Sequence, residues 1–196
     1  MAATLAGEIR AARACRLCEK DLALGPRPVL KLHREARLVI VGQAPGTRVH
    51  ETGIPYNDRS GDRLRDWLAV DRETFYGDRR IAILPMGLCY PGTDDKGGDL
   101  PPMKICGPTW HPRLMPLLPK VELILLVGIY AQAYYLRDLR KATLTDTVRG
   151  WRDYGPRFVP LPHPSWRNIA WLKRNPWFKA EVVPELRRRV KRLLAG

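Results

Sequence analysis

Four short apolar runs, at residues 37–41, 80–84, 122–127 and 157–161, set the fold class. Each is Val-, Ile- or Leu-rich almost throughout, with no polar alternation, so each needs cover on both faces. That pattern belongs to strands inside a parallel sheet, and parallel neighbours require crossover connections, usually helical. The intervening stretches supply helices at 62–70, capped by Ser60-Gly61, and at 129–139 after Gly128. A closing helix runs from about Pro176 to Leu194, with Val182, Val183, Leu186, Val190, Leu193 and Leu194 on its apolar stripe. An amphipathic helix is expected over 1–20, with Leu5, Ile9 and Ala12 on its apolar side. The expected architecture is α/β: a three-layer αβα sandwich on a four-stranded parallel sheet, in a single domain over 1–196.

A chain of 196 residues, 45% apolar and 28% charged, can bury a real core and is not disordered. Its formal charge of +14 favours a polyanionic partner, in the first instance a nucleic acid. No uninterrupted apolar stretch approaches the roughly 20 residues that span a bilayer. Glu8, Arg10, Arg13 and Arg16 break the first apolar stretch, which is unlike a secretory signal. A cytoplasmic monomer that does not engage membranes is therefore expected, with its cysteines reduced.

Two loops carry the chemistry. Gly42-Gln43-Ala44-Pro45-Gly46 closely follows the first strand, and His163-Pro164-Ser165-Trp166-Arg167-Asn168 closely follows the last. Parallel strands end on one edge, and ligands bind in the crevice there. A glycine-flanked turn with exposed N–H groups, facing a loop that carries a histidine, suits an anion. The 18 prolines and 16 glycines gather in connections, above all the long 91–108 loop, which its length marks as functional or ligand-tied.

The four cysteines fall into two pairs: Cys15-x-x-Cys18, at the end of the first helix, and Cys89 with Cys106 around the long loop. Four thiolates suit a [4Fe–4S] cluster or a structural Zn²⁺, and spacing alone does not separate the two. Either would pin the first helix and the long loop to the sheet.

Together these elements resemble the uracil-DNA glycosylase superfamily, most closely its iron–sulfur, thermophile-type branch, over roughly residues 12–185. The matching stretches are Gly42–Gly46, Gly53-Ile54-Pro55-Tyr56, the four cysteines and His163-Pro164-Ser165. Asp58-Arg59-Ser60-Gly61-Asp62 is similar to a second thermophile-type branch, and 163–168 to the single-strand-selective branch. Two positions depart from the family pattern. Gln43 and Ala44 stand where the branches carry a carboxylate or amide, and Pro85 stands where an Asn reads the uracil edge.

The resemblance implies a monofunctional enzyme that hydrolyses the N-glycosidic bond of uracil in DNA and carries a [4Fe–4S] cluster on Cys15, Cys18, Cys89 and Cys106. His163 would donate to the uracil anion, with Gly42 and the backbone amides of Gln43 and Ala44 supplying the rest of its cradle. Tyr56 would stack on the flipped base and Asn57 read its edge. With no carboxylate on the first loop, Glu51 is the expected stabiliser of the sugar cation and His50 a water-positioning group. Trp166, Arg167 and Asn168 would enter the DNA, Arg167 as the wedge, while Ser60 and Ser165 contact phosphates. No lysine lies in either loop, which argues against a Schiff base. Two alternatives stay open: excision of another deaminated base such as hypoxanthine, and a metal-bound module that binds nucleic acid without turnover.

Overall fold

The computed structural model describes residues 3–95 and 97–195; Met1 and Ala2, where the sequence places the start of its first helix, lie outside the described residues. Four strands form one sheet: β1 (Leu38–Val41), β2 (Ile81–Ile83), β3 (Leu123–Val127) and β4 (Phe158–Leu161). Their order is β2-β1-β3-β4 and every pairing is parallel. Leu38 lies opposite both Ile81 and Leu123, and Ile124 opposite Phe158. Along the chain run α1 (Leu5–Arg13), α2 (Thr47–Thr52), α3 (Arg59–Leu68), α4 (Arg72–Gly77) and α5 (Cys106–Leu114). They are followed by α6 (Ile129–Leu136), α7 (Leu144–Arg149), α8 (Ile169–Arg174) and α9 (Val183–Ala195).

The absence of polar alternation in the strands follows from two cores. Leu38 and Ile40 point into one, with Trp67, Phe75, Phe178 and Leu186. Val39 and Val41 point into the other, with Leu5, Trp110, Leu114 and Ala131. Each Val, Leu, Ile or Phe among them, fully buried, contributes roughly 1.5–3 kcal/mol. The α/β sandwich is thus the observed fold. Among the described residues no helix is long and apolar enough to cross a membrane.

Helix ends differ from the sequence expectation in four places: α6 stops at Leu136, where Arg137 turns left-handed (φ +48°), and the other three each have a local reason as well. Helix α1 stops at Arg13, so Cys15 and Cys18 lie beyond it; Leu17, between them, is 61% exposed and offers no apolar stripe to prolong it. Helix α3 begins three residues earlier than expected because Asp58, not Ser60-Gly61, is the cap: its side chain accepts from the Gly61 N–H at 2.8 Å. The closing helix is interrupted by a π-turn at Phe178–Val182 before α9. Pro184 has no N–H to donate to the preceding turn, and the ladder widens there.

All strand ends share one edge, and hydrogen bonds lock them together. Gln132 of α6 donates through Nε2 to the carbonyls of Leu126 and Leu161, at 3.3 and 2.9 Å, joining the ends of β3 and β4. The N–H groups of Met86 and Gly87 donate to the carbonyls of Gly42 and Gln43, at 2.9 and 2.8 Å, joining the segments after β2 and β1. The edge is therefore a rigid platform for whatever sits on it.

Candidate active site

A cavity of about 600 Å³ opens on that edge. It is lined by the whole Gly42–Gly46 loop and by Tyr56, Asp58, Ser60, Pro85, Asp99, His163, Ser165, Trp166, Arg167 and Asn168, among others. Both sequence-predicted loops thus meet across one space. The carbonyls of Gly42 and Gln43 are used by the segment after β2, while the N–H groups of Gln43 and Ala44 find no protein acceptor among the described residues.

His163 lines the same cavity from the other loop. Neither ring nitrogen is engaged by a protein atom among the described residues. Burial holds its imidazole below the ordinary value of 6.5, against the pull of the Asp58 carboxylate. Burial thus favours the neutral ring, which can donate without carrying charge. Its loop is held from outside. The Asn168 amide donates to the His163 carbonyl at 2.7 Å, and Arg63 Nη1 donates to the carbonyls of Pro164 and Ser165 at 3.1 and 2.7 Å. Gly128, at φ +87°, makes the left-handed turn after β3 beside the ring, and a Cβ there would be in ordinary contact, 3.7 Å from His163 Cβ and Cδ2.

Tyr56 is the most constrained residue of the site. It holds φ +56°, a left-handed conformation unfavourable to a bulky side chain. Its carbonyl is fixed by Tyr76 Oη at 3.0 Å and Arg65 Nη1 at 3.4 Å, and its ring meets Phe75 edge-on at 6.4 Å. Its hydroxyl is buried beneath Gly42 without a hydrogen-bond partner, and burial pushes that phenol above its ordinary value. Surrounding contacts hold that strained conformation in place.

The remaining expectations divide. Ser60, Ser165, Trp166, Arg167 and Asn168 all line the cavity, and Trp166 is 63% exposed with the Arg167 guanidinium 5.3 Å from its ring centre. Glu51, His50 and Asn57 do not line it. The first two ride on α2, which turns them away: Glu51 is exposed, with its carbonyl accepting from Arg27, and His50 packs 5.9 Å from the Tyr90 ring. Asn57 accepts from Arg72 through Oδ1 at 2.9 Å. The carboxylates that do reach the cavity are Asp58 and Asp99. Arg63 and Asp99 were not singled out by sequence; the one signal for Asp99 was the length of the 91–108 loop that carries it.

Pro85, in place of an amide reader, lines the cavity without a side-chain donor or acceptor. His111 lies behind it, with Nε2 donating to the Pro85 carbonyl at 3.1 Å and Nδ1 accepting from Tyr135 Oη at 2.6 Å. Burial lowers the His111 imidazole to about 4, against the hydrogen bond to Pro85. A histidine lowered on folding adds stability that is full above its unfolded value near 6.5 and is lost as pH falls towards the folded value. Urea midpoints are therefore expected to be level above pH 7 and to fall between pH 6.5 and 4. His111→Gln should flatten that fall.

The four cysteines line one small cavity of about 20 Å³. Trp110 shares it, with its buried indole N–H lacking an acceptor, and the Leu88 N–H donates to Cys106 Sγ at 3.3 Å. Burial raises the Cys18 thiol and pushes Cys89 up to about 11 and Cys106 up to about 12. Among the described residues, however, no three His, Cys, Asp or Glu side chains are grouped to hold a metal ion.

A family model described as the Uracil DNA glycosylase superfamily matches residues 31–187. Among solved structures, the chain is similar to a solution NMR structure from Methanosarcina acetivorans that carries a provisional assignment as a uracil DNA glycosylase. Identity is 19%, the TM-score is 0.47, and the match covers 83% of this chain and 93% of that one.

Proposed function

The chain belongs to the uracil DNA glycosylase superfamily, and on that premise we propose that this DNA glycosylase releases uracil, leaving an abasic site. The observation that carries the reading is the unengaged imidazole of His163 sharing one cavity with the unpaired amides of Gln43 and Ala44. Breaking the C1′–N1 bond sends an electron pair onto the base, and these donors are suited to the anion so formed. Preorganised donors of this kind contribute about 3–4 kcal/mol each in a water-poor site. Tyr56 offers a platform to the extruded base, while Trp166 and Arg167 stand at the mouth to fill the gap it leaves.

Labelled strands bearing uracil, hypoxanthine or xanthine, treated with alkali after incubation, test the reading. Cleavage confined to uracil is expected. Cleavage at hypoxanthine alone would shift the base, as the absence of an amide at Pro85 allows. Tight binding without cleavage of any strand would make the protein a binding module.

A [4Fe–4S] cluster on Cys15, Cys18, Cys89 and Cys106 belongs to the same proposal, with structural Zn²⁺ as the competing occupant. Four sulfurs on one cavity and an indole N–H without an acceptor fit a group that brings sulfur acceptors of its own. Such a group would tie the segment after α1 to the loop before α5, a structural service; binding would displace the protons that burial keeps on Cys89 and Cys106. Purified protein is expected to be brown, absorbing at about 400 nm, and Cys89→Ser to lose that band. A colourless protein with one equivalent of zinc would exclude the cluster.

A further inference from the structure

We propose that Asp99 supplies the carboxylate that the first loop lacks, facing the deoxyribose of the extruded nucleotide, and that Gln43 is the clamp that seats it. The inference rests on the glycosylase reading above and adds a residue to it.

Asp99 lines the cavity that holds His163 and Tyr56. It sits in a short hairpin, with a bridge between Thr93 and Asp99 and the Leu100 N–H donating to the Gly92 carbonyl at 3.0 Å. Both active loops grip this hairpin, one on each side of Asp99. Arg167 Nη2 donates to the Gly97 carbonyl at 2.6 Å, and Gln43 Nε2 donates to the Leu100 carbonyl at 3.2 Å. The residue where the family branch carries Glu has therefore become a backbone clamp, and the carboxylate lies two positions beyond one grip and one before the other.

Among the described residues no hydrogen bond or ion pair holds the Asp99 carboxylate. Asp58, the other carboxylate on the cavity, has one oxygen committed to the Gly61 N–H. Burial raises the Asp99 carboxyl above its ordinary 3.8; the attraction of Arg167 opposes this, and the charges of Asp58 and Asp94 reinforce it.

The chemistry balances without a further reagent. As the C1′–N1 bond breaks, its electron pair leaves with the base, and the ionised carboxylate stabilises the cationic sugar. Water oxygen then bonds to C1′, one water proton passes to Asp99, and from there it goes to solvent or to the departed base.

The test is single-turnover release of uracil by the full-length protein, with DNA affinity measured in parallel on a strand carrying an abasic analogue. Asp99→Asn keeps the side chain's shape and is expected to slow release 10- to 100-fold with affinity and melting temperature unchanged, while Asp99→Glu recovers part of the rate. Gln43→Ala should cost several-fold in the parent and nothing further in Asp99→Asn, because the clamp acts only through the carboxylate. A parent that releases uracil while Asp99→Asn matches it overturns the role of Asp99 alone. Additive losses from Gln43→Ala and Asp99→Asn overturn the clamp, and a large loss confined to Asp58→Asn assigns the carboxylate there instead. A parent that releases no base from any strand overturns the glycosylase reading and this inference with it.

Discussion

His163→Ala is expected to slow uracil release about 10²- to 10³-fold, the equivalent of 3–4 kcal/mol of lost anion stabilisation. The ring has no protein hydrogen bond among the described residues, so its removal breaks no structural contact of that kind. The loop that carries it is held by the Asn168 amide and by Arg63, both acting on backbone carbonyls that alanine retains. DNA affinity and urea midpoint should therefore stay near those of the parent while the chemical step collapses. Rapid-quench assays at saturating protein separate the two quantities. A variant as fast as the parent would remove the imidazole from the mechanism.

Gly61→Ala is expected to cost about 3 kcal/mol of stability and to disable the site with it. Two effects compete at this position. Alanine is a better helix former than glycine by roughly 1 kcal/mol, and Gly61 lies inside α3. Yet a Cβ there would sit 1.8 Å from the Tyr56 carbonyl oxygen and 2.7 Å from its carbon. That carbonyl has no room to retreat while Tyr76 and Arg65 hold it, so the clash wins. Gly77→Ala, with nothing within 4 Å of the added carbon, should change the midpoint little. Urea titration of both variants, with uracil release measured at low denaturant, checks the pair. An alanine at 61 that left midpoint and rate intact would mean that Tyr56 is not confined as described.

The sheet was legible because parallel strands buried on both faces leave a plain record: continuous apolar runs, which the structure trims by only a residue or two at their ends. Helix limits were less legible. Asp58 caps α3 from outside the apolar pattern, and Pro184 disturbs the last helix only through a missing N–H, neither of which periodicity registers. The two active loops could be read because glycine, proline and histidine punctuate strand ends. Glu51 misled because proximity along the loop says nothing of direction: as α2 winds up from Thr47, residues as far as Val49 still line the cavity, but His50 and Glu51 do not. Asp99 stayed hidden for the opposite reason. It comes from a connection of irregular conformation more than fifty residues downstream, and only the folded chain shows that Gln43 and Arg167 converge on its neighbours.

The contact between Arg167 and Gly97 sets a condition on the wedge role proposed for that arginine. One guanidinium cannot stay bonded to that carbonyl and also occupy the space of an extruded nucleotide, so the wedge role proposed for Arg167 would exchange a charged hydrogen bond of about 1.5–3 kcal/mol for contacts with the DNA. On that proposal the exchange would be a net loss at an intact base pair, and the arm would keep its bond to Gly97. Where pairing is already weakened, contacts with the DNA would have less to overcome. Patrolling and committing would thus be told apart by a latch that belongs to the protein and is opened by the lesion.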